Sequence, residues 1–561
     1  MERRIPTEAT LSALAACLMQ VALVGCTGPS PQAKRPSDAV LRLADGPQTL
    51  VPRCDMNPLK VAPPWPVLGS IFEPLLVFNR ADGSFVPWLA EGYRWSEDVR
   101  TLTFALRRTV QWSDGSPFGA RDVAFTARLL KRYPDLDGNG LWEFLGGVEV
   151  VDEWTVRFEF VRPYSPALSL FALQVILPEH RYGSLESPSS FVDDHPIGTG
   201  PFTEMRSCDD SGTEMGRNPR YWQKGKPAFG ALRSVHIPTN EGIGRALAAG
   251  ELDWATAYFP DVQGTFVARD PEHYHYWRPP WQPTVLLYLN LSLPLFQDVE
   301  LRKAISQAID RPRLVREAIG GAAVVADATA LPGFLSHWRD ESALAAGDWT
   351  AYDPARARSR LDAARYLGGP DGIRRSAKGI PLRFHLDVIE EWTDWYLAAQ
   401  LVAKDLRAVG IDVAVRPGPL EPFRNRLFRG EFEASIAWGV TAPTPYHVYQ
   451  RLMGSKGPVP IGTPTFWNFQ RFHHPEVDRL LRGMETTAEA KSSFEASAAL
   501  QRLFVREAPA IPLFSNPVWA SWSTRHFRGF PDAGNPYARP APQGDTPEVL
   551  LVLTRLEPTE P

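Results

Sequence analysis

The sequence lacks several features that whole classes of protein require. Its 60 Lys and Arg are outnumbered by 64 Asp and Glu, so a net charge of -4 offers no general basic surface for nucleic acid. Beyond the N-terminus, no stretch approaches 18 uninterrupted apolar residues, which argues against an internal membrane span. No Gly-x-Ser-x-Gly motif occurs, so the nucleophile elbow of serine hydrolases is missing.

The N-terminus does carry an apolar segment, and it has the order of a secretion signal. Arg3 and Arg4 precede the uncharged segment Ala9–Gly25, which ends at Cys26. This order is typical of a lipoprotein signal peptide, residues 1–26, after which Cys26 would carry the lipid. An uncleaved anchor with an incidental Cys is the alternative. Residues 27–37 are rich in Pro, Ser and Gln and are predicted to be a flexible tether.

Cysteine is scarce, with four residues in 561. Cys17 falls in the signal and Cys26 is the expected lipidation site, which leaves Cys54 and Cys208. In an oxidising compartment these two thiols could form one disulfide or remain separate buried thiols. Neither has a His close in sequence, which disfavours a nucleophilic or metal-binding role.

Acidic residues are missing from one long window. No Asp or Glu occurs in the 42 residues from Ala434 to Pro475, where the overall composition predicts roughly five. Within this window, Ala437–Tyr449 is rich in aromatic, proline and hydroxyl side chains and is predicted to be a loop after a short buried strand. Aromatic rings offer flat apolar faces with a polar edge, which suits stacking on sugars or covering peptide side chains. The candidate ligand-binding residues are therefore Trp438, Thr441, Tyr446, Tyr449, Trp467 and Asn468.

What the sequence does contain indicates a multidomain α/β protein. A chain of 561 residues exceeds one compact core, and alternating apolar patterns predict hairpins at residues 92–106 and 149–160. A helical pattern covers residues 120–133, and another helix is predicted to begin near Trp65 and run to Val77. After Pro280, strands predicted at 284–291, 382–388 and 411–415 alternate with helices at 299–309, 354–366 and 392–409. Such lobes bind ligands in the cleft where strand ends converge.

Five blocks resemble, in order, the family 5 extracellular solute-binding proteins of ABC importers, whose members include receptors for peptides, nickel, opines and oligosaccharides. They are Ile71-Phe72-Glu73-Pro74-Leu75 with Leu89-Ala90-Glu91-Gly92-Tyr93, Trp112-Ser113-Asp114-Gly115 with Ala120-Arg121-Asp122-Val123, Ile197-Gly198-Thr199-Gly200-Pro201-Phe202, Asn218-Pro219-Arg220-Tyr221-Trp222, and residues 301–311. We interpret them as fold markers: Asp114-Gly115 as a turn, and Gly198 and Gly200 as sites of close backbone packing.

The resemblance implies a two-lobed periplasmic-binding-protein-like α/β fold, type II, cluster C, with an extra inserted α+β domain. Lobe I would comprise residues 38–71, 180–282 and 509–561, the inserted domain residues 72–179, and lobe II residues 283–508. It also implies a monomeric, non-enzymatic receptor, which the N-terminal signal and Cys26 predict to be lipid-anchored outside the cytoplasmic membrane. This receptor would use no cofactor, bind no nucleic acid, and hand an oligopeptide or a neutral oligosaccharide to a membrane permease.

The acid-free loop bears on the choice of ligand. In peptide receptors of the family, the loop after the Trp-Gly pair usually carries an Asp for the α-ammonium group, whereas residues 440–444 here contain no acid. A buried ammonium without a charged partner is costly, so the resemblance favours a neutral ligand unless Asp387 or Glu390 substitutes. A secreted hydrolase and a nickel receptor are the alternatives. The pairs Asp193-Asp194, Asp209-Asp210 and Glu390-Glu391 are interpreted as surface charge, and His473-His474 as the start of a helix.

Overall fold

The computed structural model of the protein describes residues 38–46, 54–60, 63, 65, 67–258, 261–440, 442–454, 457–487, 489–543 and 546–559. The signal segment, Cys26 and the tether lie outside the described residues. Within them, two mixed sheets with helices packed against them form two lobes, and a smaller antiparallel sheet forms a third unit. The two-lobed α/β architecture is confirmed.

Lobe I is built on a seven-stranded sheet. Its central strand, Val40–Ala44, runs parallel to both neighbours, and the outer strands pair antiparallel. In spatial order the strands are Tyr274–Trp277, Ala520–Ser523, Trp254–Thr256, Val40–Ala44, Ala231–Val235, Gly212–Arg217 and Phe202–Asp209.

Lobe II is built on a six-stranded sheet. Its strand Thr284–Leu289 is buried at every position, which agrees with the continuous apolar run in the sequence. In spatial order the strands are Val324–Val325, Ile511–Ser515, Thr284–Leu289, Ala434–Trp438, Arg383–Ile389 and Asp412–Gly418. The last three run parallel, so their carboxyl ends meet at one edge of the sheet.

The third unit, called the insert here, lies within residues 72–179. Its four-stranded antiparallel sheet has the order Ala90–Trp95, Thr101–Leu106, Thr155–Phe160 and Leu145–Asp152. The helix Ala120–Arg132 accompanies this sheet, as predicted. The helix predicted from Trp65 to Val77 is wrong in its second half, because only Val67–Ile71 is helical and Leu76–Asn79 pairs as a strand with Ser84–Pro87. Pro74 lies between them and interrupts helical hydrogen bonding.

Helices follow the apolar periodicity of the sequence. The helix Thr393–Ala408 buries Trp395, Ala398, Ala399, Val402 and Leu406, a spacing of three and four that places them on one face. The other helices of eight or more residues are Asn240–Ala248, Val299–Ala308, Pro354–Ala363, Leu420–Arg429, Pro445–Met453, Pro475–Glu485 and Ala490–Glu507. Shorter α-helices are Leu168–Leu173, Glu179–Tyr182, Val262–Thr265, Arg311–Arg313, Glu341–Ala346 and Leu550–Leu553.

Two crossovers join the lobe sheets side by side. The first runs from Trp277 to Thr284, and the second from Ser515 to Ala520. They are bonded to each other, since the Val518 N–H donates to the Pro279 carbonyl at 2.9 Å. The predicted lobe II boundary at residue 508 is therefore too early. Ile511–Ser515 pairs within the lobe II sheet, and the crossover follows that strand.

Close backbone contacts pack two segments of lobe I together at the point where the insert is bonded to them. A Cβ atom on Gly198 would lie 2.0 Å from the Ile71 carbonyl oxygen, and one on Gly200 would lie 2.1 Å from the Ser70 carbonyl oxygen. Only glycine fits at either position. The Gly200 N–H donates to the Ile71 carbonyl, and the Ser113 N–H donates to the Gly198 carbonyl. The close-packing interpretation of these glycines is confirmed.

Two further features of lobe I bear on sequence predictions. A disulfide joins Cys54 to Cys208. The interpretation of Asp193 as surface charge is wrong, because the residue is fully buried. Its carboxylate accepts hydrogen bonds from the Tyr182 hydroxyl at 2.9 Å and from Arg181 at 3.0 Å. A buried carboxylate with two donors is a structural element of lobe I.

Candidate functional site

A cavity of about 240 Å³ lies where lobe II, the insert and the C-terminal part of lobe I meet. All three units contribute to its wall, so a molecule inside it would contact both lobes and the insert. The lining residues include Phe78, Arg80, Asn139 and Leu173 from the insert, Ala442, Pro443, Arg451 and Trp467 from lobe II, and Thr546 and Glu548 from the C-terminal part.

Trp467 provides the aromatic wall of this cavity. The ring is 38% exposed, and the Arg451 guanidinium lies 4.3 Å from its centroid, within the range of a cation–π contact. Asn468 is buried behind it with a φ of 51°, a left-handed conformation that Asn tolerates. Its amide donates to the Phe472 carbonyl at 2.7 Å and accepts from the Phe472 N–H at 2.9 Å. Asn468 therefore positions Trp467 and does not itself line the cavity.

Charged groups in the cavity wall are bonded to the protein itself. The carboxylate of Glu548 accepts hydrogen bonds from the Arg80 guanidinium at 2.6 Å and from the Arg80 N–H at 2.8 Å. Both side chains are almost fully buried. Arg451 is engaged with Trp467, and burial lowers the pKa of its guanidinium. The wall therefore combines an aromatic face with one buried ion pair and the Arg451 guanidinium stacked on Trp467.

Tyr446 and Tyr449 do not lie in a loop. Pro445 occupies the first turn of the helix Pro445–Met453, a position that suits proline, so the loop prediction for this segment is wrong. Both rings are buried. The Tyr446 hydroxyl donates to Glu485 and the Tyr449 hydroxyl donates to the Thr329 carbonyl, each at 2.8 Å. Burial raises the pKa of both phenols. The two tyrosines belong to the hydrophobic core behind the cavity wall. Thr441, another candidate ligand-binding residue, lies outside the described residues.

Trp438 ends the strand Ala434–Trp438 in an aromatic cluster. Its half-buried ring has centroid distances of 6.1 Å to Trp392, 6.2 Å to Phe423 and 6.4 Å to Phe469. Trp392 is 36% exposed and meets Trp395 edge to face at 4.7 Å. These rings place an aromatic surface at the carboxyl ends of the parallel strands of lobe II.

Asp394 lies next to this aromatic surface, in the first turn of the helix Thr393–Ala408. Burial raises the pKa of its carboxyl group to about 6, although backbone N–H groups at the helix start oppose that shift. The sequence reasoning missed this residue and considered Asp387 and Glu390. Asp387 is buried and hydrogen-bonded to Arg416 and Arg426, so its charge is already compensated, while Glu390 is exposed. The sequence feature that could have drawn attention to Asp394 is its position between two Trp residues, in Trp392-Thr393-Asp394-Trp395.

Tyr258 follows the strand Trp254–Thr256 of lobe I, close enough to lobe II for the charge of Asp394 to act on its phenol. Burial raises the pKa of its phenol, and the negative charge of Asp394 raises it further. The ring meets Trp519, in the second crossover, edge to face at 5.0 Å. The Arg278 guanidinium lies 4.6 Å from the Trp519 ring centroid and 5.2 Å from that of Tyr276. The crossovers thus supply an aromatic wall opposite lobe II.

The insert also contacts lobe II directly. The Arg162 guanidinium donates to the Glu485 carboxylate at 2.9 and 3.4 Å, and the Ser165 hydroxyl donates to the Met484 carbonyl at 2.9 Å. The rings of Tyr164 and Tyr446 meet edge to face at 5.8 Å. These contacts connect two units that are far apart in sequence.

Glu73, in the first of the recognised sequence blocks, is a buried acceptor that joins the insert to lobe I. It accepts hydrogen bonds from the Trp88 indole at 2.7 Å, the Tyr221 hydroxyl at 2.9 Å and the Trp222 indole at 3.2 Å. Burial raises the pKa of its carboxyl group to about 7, against the opposing effect of its donors. This arrangement is structural, and no two of these residues form a nucleophile and base pair.

Histidine clusters from the sequence have structural partners. His474 caps the helix Pro475–Glu485 through its Nδ1, which accepts from the Glu476 N–H at 3.2 Å, as the helix-start interpretation predicts. His273 pairs with Asp270, and His275 contacts the Thr524 hydroxyl. In the part of the chain that the structure describes, no group of three His, Cys, Asp or Glu is arranged to hold a metal ion. No helix among those residues has the length and apolar character needed to cross a membrane.

Comparison with known proteins gives the following relationships. The model of the bacterial extracellular solute-binding proteins, family 5, matches residues 84–459. A Brucella melitensis protein that carries the name of an ABC transporter peptide-binding protein is 29% identical over 453 residues, which cover 76% of this chain and 78% of the relative. The nickel-binding periplasmic protein of Escherichia coli is 28% identical over 360 residues, covering 62% of this chain and 66% of its own.

Solved structures agree with this relationship. The periplasmic oligopeptide-binding protein of an oligopeptide ABC transporter from Thermotoga maritima is 25% identical, with a TM-score of 0.84, and covers 93% of this chain and 99% of its own. A second crystal structure of that protein contains bound mannohexaose, with 24% identity, the same coverage and a TM-score of 0.81.

Proposed function

Because the chain belongs to the bacterial extracellular solute-binding proteins, family 5, we propose that it captures an oligopeptide or a neutral oligosaccharide between its lobes and delivers it to the membrane permease of an ABC importer. Proteins of this family are periplasmic or extracytoplasmic receptors. The observation that supports the proposal most directly is the cavity whose wall is shared by lobe II, the insert and the C-terminal part of lobe I.

Capture depends on closing the lobes around the ligand. Lobe I and lobe II are connected by two adjacent crossovers, which can act as a hinge between two otherwise separate sheets. A ligand favours the closed arrangement only through contacts that are better in that arrangement. A molecule that touches Leu173 on the insert and Trp467 on lobe II meets this condition, because closure brings both walls together.

The cavity supports both proposed ligand classes. An aromatic wall with internally paired charges suits a neutral sugar chain, whereas the names of the Brucella melitensis and Thermotoga maritima proteins point to peptides. The Thermotoga maritima protein also holds mannohexaose, so a peptide-binding name and a sugar ligand occur on one protein. A nickel complex, suggested by the name of the Escherichia coli relative, is a third ligand to be tested.

We propose further that the mature protein is a monomer anchored by a lipid on Cys26, with the signal removed. The charged start, the uncharged segment and the following Cys support this. A Cys26→Ser variant expressed in its host should lose incorporation of labelled fatty acid and leave the membrane fraction. Retention of both properties would contradict lipidation at Cys26.

Titration calorimetry with peptides, neutral oligosaccharides and nickel complexes tests ligand capture. Trp467→Ala should weaken binding of the true ligand by roughly twofold to tenfold, because an aromatic contact contributes about 0.5–1.5 kcal/mol beyond its buried area. Phe466→Ala is the matched control, since the neighbouring ring is 67% exposed and does not line the cavity. Failure of every class to bind would contradict the proposed function. Equal effects of both variants would contradict the assignment of the cavity.

A further inference from the structure

We propose that the buried imidazole of His447 makes closure of the lobes sensitive to acid. The side chain lies where the insert meets lobe II, in surroundings that accommodate its neutral form and not its protonated form. Acidification would therefore favour the open lobes and release the ligand. The proposal rests on the proposed function, since closure around a ligand is the event that the proton would regulate.

Both nitrogens of the His447 ring contact neutral groups. Nε2 lies 3.4 Å from the Tyr164 hydroxyl oxygen, and Nδ1 lies 3.0 Å from the Thr444 hydroxyl oxygen. His447 is 4% exposed, and its ring meets that of Tyr446 edge to face at 4.9 Å. Burial raises the pKa of the Tyr164 and Tyr446 phenols, so neither carries a charge. Because a neutral imidazole has one donor and one acceptor nitrogen, two hydroxyl groups satisfy it completely.

The charged groups around His447 do not stabilise a positive charge on its ring. Arg451 follows one turn later on the same helix, and its guanidinium charge disfavours protonation. Glu485, from the neighbouring helix, already accepts hydrogen bonds from Arg162 and from the Tyr446 hydroxyl. Among the described residues, no carboxylate is hydrogen-bonded to the imidazole. Burial, and to a lesser extent the charge of Arg451, therefore lower the pKa of His447 to about 3.

The insert supplies the part of this enclosure that opening removes. Tyr164 belongs to the insert, whereas His447 belongs to lobe II. The insert is bonded to lobe I through Glu73, which accepts from the Tyr221 hydroxyl, so it should move with lobe I. When the lobes separate, the Tyr164 hydroxyl leaves Nε2, and water takes its place. A histidine in water takes up a proton at about pH 6.5, so only the closed state requires a neutral ring.

Proton linkage gives the direction and the size of the effect. The closed state has the lower pKa, so closure releases a proton from His447 in acid and proceeds unopposed only above about pH 6.5. The apparent affinity should therefore fall about tenfold between pH 7.5 and pH 5.5. Asp394 has the opposite sign, because burial raises the pKa of its carboxyl group to about 6. A carboxyl group enclosed by closure would strengthen binding in acid.

Calorimetric titration between pH 5.5 and 7.5 tests the proposal, with whichever peptide, neutral oligosaccharide or nickel complex binds at pH 7.5. Buffers with different ionisation enthalpies report the protons released on binding. We expect the unmodified protein to lose affinity about tenfold and to release about one proton at pH 5.5. Proton exchange by the ligand itself is the same for every variant and cancels when variants are compared.

Two variants separate His447 from the other titrating groups. His447→Gln keeps hydrogen-bonding groups at this position but cannot be protonated, so its affinity should change less than twofold over the same range. His385→Gln is the matched control, because His385 and its partner Glu433 both lie in lobe II. It should keep the full tenfold dependence.

The outcomes distinguish the switch from the function itself. Affinity that is independent of pH in the unmodified protein, or an equal loss in His447→Gln, would overturn the switch and leave ligand capture intact. Should His447→Gln bind no ligand, NMR of labelled histidine in the unmodified protein decides. His447 should titrate near its ordinary pKa without ligand and not above about pH 5 with saturating ligand, and the same titration in both states would overturn the switch. Absence of binding by every ligand would overturn the proposed function and the switch with it.

Discussion

Replacing Arg162 with alanine should weaken ligand binding without unfolding the protein, because Arg162 ties the insert to lobe II. The insert is fixed to lobe I by the buried acceptor Glu73 and by the hydrogen bond from the Ser113 N–H to the Gly198 carbonyl. It should therefore move with lobe I when the hinge opens. The ion pair of Arg162 with Glu485 would then exist only in the closed state.

The size of the effect follows from the exposure of the two partners. Glu485 is 6% exposed and Arg162 is 46% exposed, so the pair lies between a buried and a surface ion pair. Exposed pairs contribute about 0–1 kcal/mol and hydrogen bonds to charged groups about 1.5–3 kcal/mol. We expect about 1 kcal/mol, which shifts the closing equilibrium and the apparent Kd by about fivefold.

The assay is calorimetric titration of the ligand identified by the panel above, together with thermal unfolding of each variant. Arg157→Ala is the matched control, since its ion pair with Glu149 is exposed and lies entirely within the insert. It should leave the affinity unchanged. A double-mutant cycle of Arg162→Ala with Glu485→Gln should recover a coupling of about 1 kcal/mol. An affinity within twofold of the unmodified protein for Arg162→Ala would show that this contact does not stabilise closure.

Two further predictions concern stability. Burial raises the folded-state pKa of Glu73 to about 7, above its unfolded value of 4.5, so the folded protein binds more protons between these values and its free energy of unfolding should fall as pH rises from 4.5 to 7. In urea unfolding, Glu73→Gln should lack that contribution to the pH dependence; an unchanged slope would contradict it. Gly198→Ala should lower the free energy of unfolding by about 1–3 kcal/mol, since its Cβ would collide with the Ile71 carbonyl oxygen. Gly92→Ala, with open space around the new Cβ, should not, and equal losses would refute the steric argument.

Local features of the sequence predicted many of the elements well. The hairpins, the helix Ala120–Arg132 and the buried strand Thr284–Leu289 follow from apolar period and turn residues, which act over a few neighbouring positions. The same local features led to a wrong loop prediction around Pro445, which begins a helix although it lies among residues typical of a loop. It also ended lobe II too early, at residue 508, because the pairing of Ile511–Ser515 depends on strands hundreds of residues away.

The sequence by itself determined the family, the two-lobed α/β class and the aromatic character of the segment around Trp438, because motifs, composition and periodicity are properties of the chain. Only the tertiary structure decided which side chains a ligand could reach. Trp467 and Tyr446 are both predicted from the sequence to bind ligand. In the structure, Trp467 lines a cavity, whereas Tyr446 is buried and hydrogen-bonded to Glu485. Burial raises the pKa of the Asp394 carboxyl group only because folding encloses that residue, which its place in the sequence does not show. Burial and the meeting of distant segments are long-range properties, so no local pattern could specify them.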